Sequence, residues 1–273
     1  MTLSIVLGDS GFIGSAFIGQ LRHRGETVIG INRHRVLIIE NQISRELPRN
    51  SSDLSIEILP YLKDGAVVIN TAWGQNDRGN RDSTIHNECA MAELLLIDAI
   101  KESGSRYVSF GSVAEIDDDT ISPSRKTEYA NAKKLVADYL ANSEIIFNWL
   151  RVASLYGPGD RRNWLVPQLL QSFQSDEEVV IENPSQEINL CHIDSLVGAT
   201  LVLAQGSVVG ALNVTTDQWV TVSELKRAFM DLREPEYLTR LSGSFSQRDP
   251  NVLEVETPPL LDFFKSVRKI HKS

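Results

Sequence analysis

A phenol and an amine four residues apart, Tyr129 and Lys133, carry the clearest chemical signal in the sequence. The stretch Tyr129-Ala-Asn-Ala-Lys133 opens a segment with helical patterning, and an i, i+4 spacing puts both side chains on one helix face. A phenol with a reference pKa of about 10 exchanges protons poorly at neutral pH. A neighbouring ammonium stabilises the phenolate and brings that pKa down. Tyr129 can then give or take a proton at a carbonyl or hydroxyl carbon. Tyr-x-x-x-Lys alone is also what an ordinary amphipathic helix shows. Ser112 makes it more than that: it lies 17 residues earlier, just past the strand-like Tyr107–Phe110, and its hydroxyl can bond the same substrate oxygen.

The hydride that such chemistry needs would come from a nicotinamide, and the N-terminus offers a place for one. Gly8-Asp9-Ser10-Gly11-Phe12-Ile13-Gly14 follows a short apolar strand and opens a helix. Glycines there let backbone amides approach a pyrophosphate, which sits at the positive helix end. Gly8, Ser10, Gly11, Phe12, Ile13 and Gly14 are therefore the expected contacts. A carboxylate at the end of the second strand would bond the 2′-hydroxyl of NAD. This chain has Asn32-Arg33-His34-Arg35 instead. An uncharged Asn32 removes the repulsion of a 2′-phosphate, and Arg33 can pair with one through its planar fork. That predicts NADP, with NAD as the alternative; the other reading of Arg33 is a solvated basic loop.

The elements that must position these groups alternate in type. Leu3–Leu7, Thr27–Ile31, Ala66–Thr71, Tyr107–Phe110 and Ile145–Leu150 read as strands. Ser15–Arg24, Asn87–Ser103 and Tyr129–Ala141 read as helices. This alternation predicts an α/β fold of Rossmann type, a doubly wound parallel sheet whose ligands sit at the carboxyl ends of the strands. The pattern fades after about residue 155, past Gly157-Pro158-Gly159. Helices at Val166–Ser175, Ser195–Ala204 and Ser223–Leu232, with strands at Val179–Glu182 and Ala211–Thr215, predict a small, partly interleaved C-terminal substrate lobe. The expected division is 1–155 for the dinucleotide-binding domain, with later strands returning near 188–215, and 156–273 for a discontinuous second lobe.

Composition excludes several classes. With 27 Lys and Arg against 36 Asp and Glu, the net charge is −9, which argues against a nucleic-acid polymer as partner. The two cysteines, Cys89 and Cys191, form no CxxC pair, which argues against a disulfide scaffold and a metal site. No basic-then-apolar leader opens the chain, and no apolar run approaches the ~18 residues of a membrane span. The expectation is a cytoplasmic protein.

Taken together, Gly8-x-x-Gly11-x-x-Gly14, Ser112, Tyr129-x-x-x-Lys133 and Leu150-Arg151…Tyr156-Gly157-Pro158-Gly159-Asp160 resemble the extended short-chain dehydrogenase/reductases, the group of nucleotide-sugar epimerases, dehydratases and ketoreductases. The motifs follow that family's order over about 190 residues. The resemblance implies that Asp53-Leu54 reads the adenine and that Ala72 lies along the cofactor. It implies that Asn87 supports the active site and that Tyr156-Gly157-Pro158 holds the nicotinamide end by its backbone. His192-Ile193-Asp194 is similar to a largely structural family segment. The family's pairing through two helices implies a homodimer, here through Asn87–Ser103 and Tyr129–Ala141.

Departures from the family narrow the reaction. Its 4,6-dehydratases carry Asp and Glu directly after the Ser/Thr; here Val113 and Ala114 follow Ser112, and Glu115 comes one position late, so dehydration is disfavoured. Ala72-Trp73-Gly74 is similar to a segment of the deoxysugar 4-ketoreductases, where Trp73 either packs over the sugar or is a core aromatic. Ile188 stands where many relatives grip a pyrophosphate with arginine; Arg161 and Arg162 are possible substitutes. Ser154 replaces the family's substrate asparagine. Three readings follow: an NADP-dependent reductase of a nucleotide-linked 4-keto-6-deoxysugar, a nucleotide-sugar epimerase holding NAD tightly, and a non-catalytic cofactor-binding regulator.

Overall fold

The structure, a computed structural model, describes residues 2–74, 78–116, 127–152, 154–175, 179–238 and 251–272. Strand β1 (Ser4–Leu7) is buried throughout, as befits the middle of a sheet covered on both faces. Helix α1 (Phe12–His23) buries Phe17 and Leu21 and ends on Arg22 and His23, whose positions suit the negative end of the helix dipole. Strand β2 (Val28–Ile31) follows, then β3 (Arg35–Glu40), β4 (Ile43–Pro48), the short α2 (Leu54–Ile58), β5 (Val67–Asn70) and α3 (Ile85–Ile100). Strand β6 (Arg106–Ser112) leads to α4 (Glu128–Ala141), which starts where the Thr127 side chain accepts the Ala130 amide. The remainder is β7 (Phe147–Val152), β8 (Ser154–Tyr156), α5 (Leu165–Ser175), β9 (Glu187–His192), α6 (Ile193–Gln205), β10 (Gly210–Thr215), β11 (Trp219–Thr221), α7 (Val222–Asp231), β12 (Val252–Glu254) and α8 (Leu260–Lys272).

Nine strands form one sheet in the order β12-β10-β7-β6-β5-β1-β2-β3-β4, the Rossmann-type architecture that the alternating pattern predicts. Strands β2, β1, β5 and β6 run parallel, with Leu7 level with both Ile31 and Asn70, and Asn70 level with Ser109. Gly8, Asn32 and Thr71 therefore leave the sheet at one edge. Strand order reverses at β1, between β2 and β5, which is where sheets of this kind open a crevice.

The sheet is not parallel throughout. After β2 the chain makes an antiparallel hairpin, β3 and β4, joined by Asn41 and Gln42 at φ +48° and +68°. Two successive left-handed residues form the tight turn that matches strand twist, and asparagine tolerates that conformation. Strand β4 is exposed along its length, so no alternating burial pattern marks it. Residues 179–182 form no strand, and Val180 is exposed there.

The chain divides into two compact units, Met1–Arg151 with Val197–Leu212, and Val152–Leu196 with Asn213–Ser273. The first has a core running through Ile5, Leu7, Ile31, Val68, Tyr107, Val136 and Trp149. The second packs Tyr156, Leu190, Leu225, Phe229 and Phe264 together and contains the three-stranded sheet β11-β9-β8.

Candidate active site and dinucleotide-binding loop

The glycine loop is shaped by backbone contact. Gly8 has φ +78°, and a Cβ there would lie 2.9 Å from both the Ala72 amide nitrogen and the Thr71 hydroxyl. A Cβ on Gly14 would lie 2.1 Å from the Gly8 carbonyl oxygen, so the first turn of α1 packs directly on the loop. Thr71 locks the loop to β1 by donating to the Leu7 carbonyl at 2.7 Å. Gly11 is the N-cap of α1 and makes no side-chain cap, and Ser10 and Gly11 are exposed while Phe12 and Ile13 are half-buried. An uncapped helix start on an open glycine loop fits a pyrophosphate.

At the end of β2, Asn32 is buried and held at both ends of its side-chain amide. Its amide nitrogen donates to Asp9 Oδ1 at 2.6 Å, and its carbonyl oxygen accepts the His34 and Arg35 amides at 2.8 and 3.2 Å. Arg33 is exposed at the tip of this turn. Arg35 is balanced between two carboxylates, Asp9 and Glu46.

Around Tyr129 and Lys133 the structure assembles an aromatic cluster. Both residues are buried in the first turns of α4, which packs against β6 and the turn 113–115. Lys133 Nζ donates to the Phe110 carbonyl at 2.7 Å and lies 3.4 Å from the centre of the Trp73 ring. Burial pulls the lysine pKa down to about 8, against the opposing charges of Glu93, Glu115 and Cys89. Trp73 meets Tyr129 edge to face at 6.1 Å. Its indole N–H donates to His86 Nδ1 at 3.1 Å, and His86 Nε2 lies 2.9 Å from the Asn80 carbonyl. With Nδ1 accepting and Nε2 donating, His86 is a neutral imidazole, and burial holds its pKa below the usual range. Its ring packs on Tyr129 at 5.2 Å.

Ser112 ends β6 and caps the turn 113–115, its oxygen accepting the Ala114 amide at 3.2 Å. Its hydroxyl proton remains to donate. Glu115 is buried and used entirely by its surroundings: it accepts from Trp149 Nε1 at 2.7 Å, Arg151 Nε at 2.6 Å and the Ser112 amide at 3.1 Å.

Other residues singled out by the sequence lie on separate elements. Asn87 is exposed and bonds Glu128 at 2.9 Å; the buried residue of that helical turn, in contact with Tyr129, is His86. Asp53 caps α2, accepting from the amide and hydroxyl of Ser55, which lower its pKa. Leu54 packs on the first core, and Ala72 follows β5 with its amide bonded to Asn70. In the second unit, Tyr156 is fully buried with a raised pKa from burial, Ser154 is half-buried, and Arg161 is exposed. Arg162 is bound to Asp160 through two bonds of 2.8 Å. Ile188 packs into the second core, and His192 accepts the Asp194 amide. Among the described residues there is no metal-binding group of His, Cys, Asp and Glu, and no helix is long and apolar enough to cross a membrane.

Sequence reasoning passed over His86 and Glu93. The latter is a buried acid that accepts from Tyr107 at 2.7 Å and Ser109 at 2.5 Å. A helix-face count could have marked both, since they share a buried stripe with Ala90 and Ile97.

A family model described as the NAD dependent epimerase/dehydratase family matches residues 4–214. The chain is similar to the CDP-abequose synthase of Yersinia pseudotuberculosis, with 23% identity over 203 residues, 73% of this chain and 72% of that protein. Among solved structures it resembles the UDP-glucose 4-epimerase of Thermotoga maritima, determined with UDP-glucose, at TM-score 0.72 and 18% identity over 99% of both chains. It also resembles TunA, an NAD-dependent NDP-hexosamine 5,6-dehydratase of tunicamycin biosynthesis, at TM-score 0.68 and 19% identity, covering 85% of this chain and 81% of that one.

Proposed function

The chain belongs to the NAD-dependent epimerase/dehydratase family, and within it we propose an NADP-dependent ketoreductase that reduces the 4-keto group of a nucleotide-linked 6-deoxysugar. The observation that carries the cofactor choice is the end of β2, where an uncharged Asn32, held at both ends of its amide, stands in place of a ribose-binding carboxylate. NADP is the usual reagent of net reduction. The relative that makes CDP-abequose supports a nucleotide-linked sugar as substrate.

Bound nicotinamide supplies the hydride. Tyr129 donates its proton to the carbonyl oxygen as that oxygen gains charge, and Ser112 donates a hydrogen bond to the same atom. Lys133, charged and buried beside Tyr129, stabilises the phenolate left behind. We assign Gly8, Ser10, Gly11, Phe12, Ile13 and Gly14 to the pyrophosphate, Asp53, Leu54 and Ala72 to the adenosine side, and Tyr156 to the nicotinamide end. Trp73, Ser154 and Arg161 are assigned to the sugar nucleotide. Asn87, exposed and bonded to Glu128, is assigned a supporting part through the first turn of α4.

Steady-state consumption of NADPH with a 4-keto-6-deoxysugar nucleotide tests this reading. Protein that binds NADPH yet turns over no such substrate overturns it. The likeness to the UDP-glucose 4-epimerase favours a second reading, epimerisation with retained NAD. Denaturing purified protein and identifying the released dinucleotide separates the two. Water elimination is disfavoured by Val113 and Ala114, which move no protons, and by Glu115, which is bound on both oxygens.

A further inference from the structure

The hairpin that breaks the parallel sheet delivers an arginine to the end of β2. Its arms are equal, so Pro48 returns level with Arg35, and Arg49 follows immediately. Arg49 Nη1 donates to the Asn32 carbonyl at 2.7 Å. Its Nε and Nη2 are covered from solvent and meet no acceptor. Asp9 and Glu46 are taken up by Arg35, and Asp53, whose oxygen accepts from Ser55, is near enough to feel the Arg49 charge but makes no hydrogen bond to it. A guanidinium anchored at one nitrogen, with two neighbouring N–H groups unspent, has a fork ready for a tetrahedral anion. Two guanidinium N–H groups covered from solvent without an acceptor are costly to keep, which argues that they await one.

We propose that Arg49, fixed to the Asn32 carbonyl, receives the 2′-phosphate of NADP and sets the preference for NADP over NAD, with the exposed Arg33 supplying a second, looser charge. The proposal rests on the NADP reading above. It also explains the hairpin: a helix after β2 would carry the chain away from the ribose, whereas two equal strands bring it back.

The test is equilibrium binding of NADPH and NADH, followed by nicotinamide fluorescence, to the wild-type protein and to Arg49→Gln and Arg49→Lys. Adenosine 2′,5′-bisphosphate and AMP serve as calorimetric probes without the nicotinamide. Wild type is expected to prefer NADPH and the bisphosphate. Arg49→Gln is expected to lose NADPH affinity by about 10- to 100-fold, the scale of a lost charge-assisted fork, with NADH affinity within about threefold. Equal losses for both dinucleotides mean that Arg49 only braces the strand end, and unchanged affinities mean that it does nothing; either overturns the proposal. If Arg49→Gln fails to fold, Arg49→Lys decides, because an ammonium keeps charge and lacks the fork: an unchanged NADPH/NADH ratio overturns the assignment. Wild type that prefers NADH removes the NADP reading itself, a result distinct from any outcome in the variants.

Discussion

The ammonium of Lys133 lies 3.4 Å from the centre of the Trp73 indole, while its Nζ donates to the Phe110 carbonyl. A cation over an aromatic face is attracted to the ring's negative quadrupole, but neither the ring nor one carbonyl replaces full hydration. The lysine pKa accordingly falls to about 8. Below that pH Lys133 is charged, and in the proposed reduction it stabilises the Tyr129 phenolate; above it that support is lost. We expect kcat/KM for carbonyl reduction to fall as pH rises through about 8. A pH–rate profile measures this in the free enzyme, and one that stays flat into the tyrosine range rules out the role given to Lys133.

The same burial has a stability consequence of opposite sign to the usual ion-pair case. The folded-state pKa of Lys133 lies below its value of 10.5 in the unfolded chain, so the unfolded chain holds this proton more tightly. The charge therefore costs the folded state at neutral pH, and the cost fades as pH rises from about 8 to 10.5. A drop of that size corresponds to about 3 kcal/mol, against about 1 kcal/mol for the hydrogen bond to Phe110. Lys133→Met is expected to abolish turnover while raising the urea midpoint at pH 7, with the gain shrinking by pH 10. A midpoint below wild type at pH 7 contradicts this.

Tyr129→Phe removes one oxygen from a ring that stays packed on His86 and Trp73. The proposed proton donor is lost and the packing is kept. Turnover is expected to drop by about 10²- to 10⁴-fold, the range of general acid catalysis, with the NADPH dissociation constant nearly unchanged. Stopped-flow single turnovers separate the chemical step from binding, and a wild-type rate in the variant refutes the assignment.

What the sequence made legible follows from how local each signal is. The glycine loop, the 3.6-residue pattern of α4 and the apolar runs of β1, β2 and β5 are each written within at most 14 residues, and all lie where the pattern predicts. The β3–β4 hairpin was hidden because β4 is exposed on both faces and so shows no alternation. His86 and Arg49 were hidden for another reason. Their roles depend on partners far along the chain or on backbone oxygens: Trp73 and Asn80 for the histidine, the Asn32 carbonyl for the arginine. No spacing rule encodes a bond to a carbonyl 17 residues away.

Gly14 allows no side chain, since a Cβ would sit 2.1 Å from the Gly8 carbonyl oxygen, a rigid backbone atom. Gly14→Ala must push α1 off the loop. We expect a loss of about 1–3 kcal/mol in stability, typical of overpacking, and a larger fractional loss of dinucleotide affinity than of stability. Calorimetric titration with NADPH beside a thermal melt measures both. Full retention of affinity shows that the loop does not hold the pyrophosphate.

Glu115 separates a structural carboxylate from a catalytic one. One oxygen accepts from Trp149 and Arg151, the other from the Ser112 amide, so the side chain ties β6 to β7 and fixes Ser112, the residue proposed to bond the substrate oxygen. Glu115→Ala leaves two donors and a guanidinium without their acceptor, at a cost of about 3 kcal/mol. Glu115→Gln keeps the size but points an N–H₂ at one of those donors, so it also destabilises, by less. Turnover is expected to fall with both, in step with how far Ser112 is displaced, and at saturating substrate the fall appears in kcat. A carboxylate that moved protons for water elimination would behave otherwise: Glu115→Gln would leave the melting temperature near wild type and extinguish loss of water from a nucleotide sugar. Melting curves and product analysis by mass on the two variants decide between these outcomes.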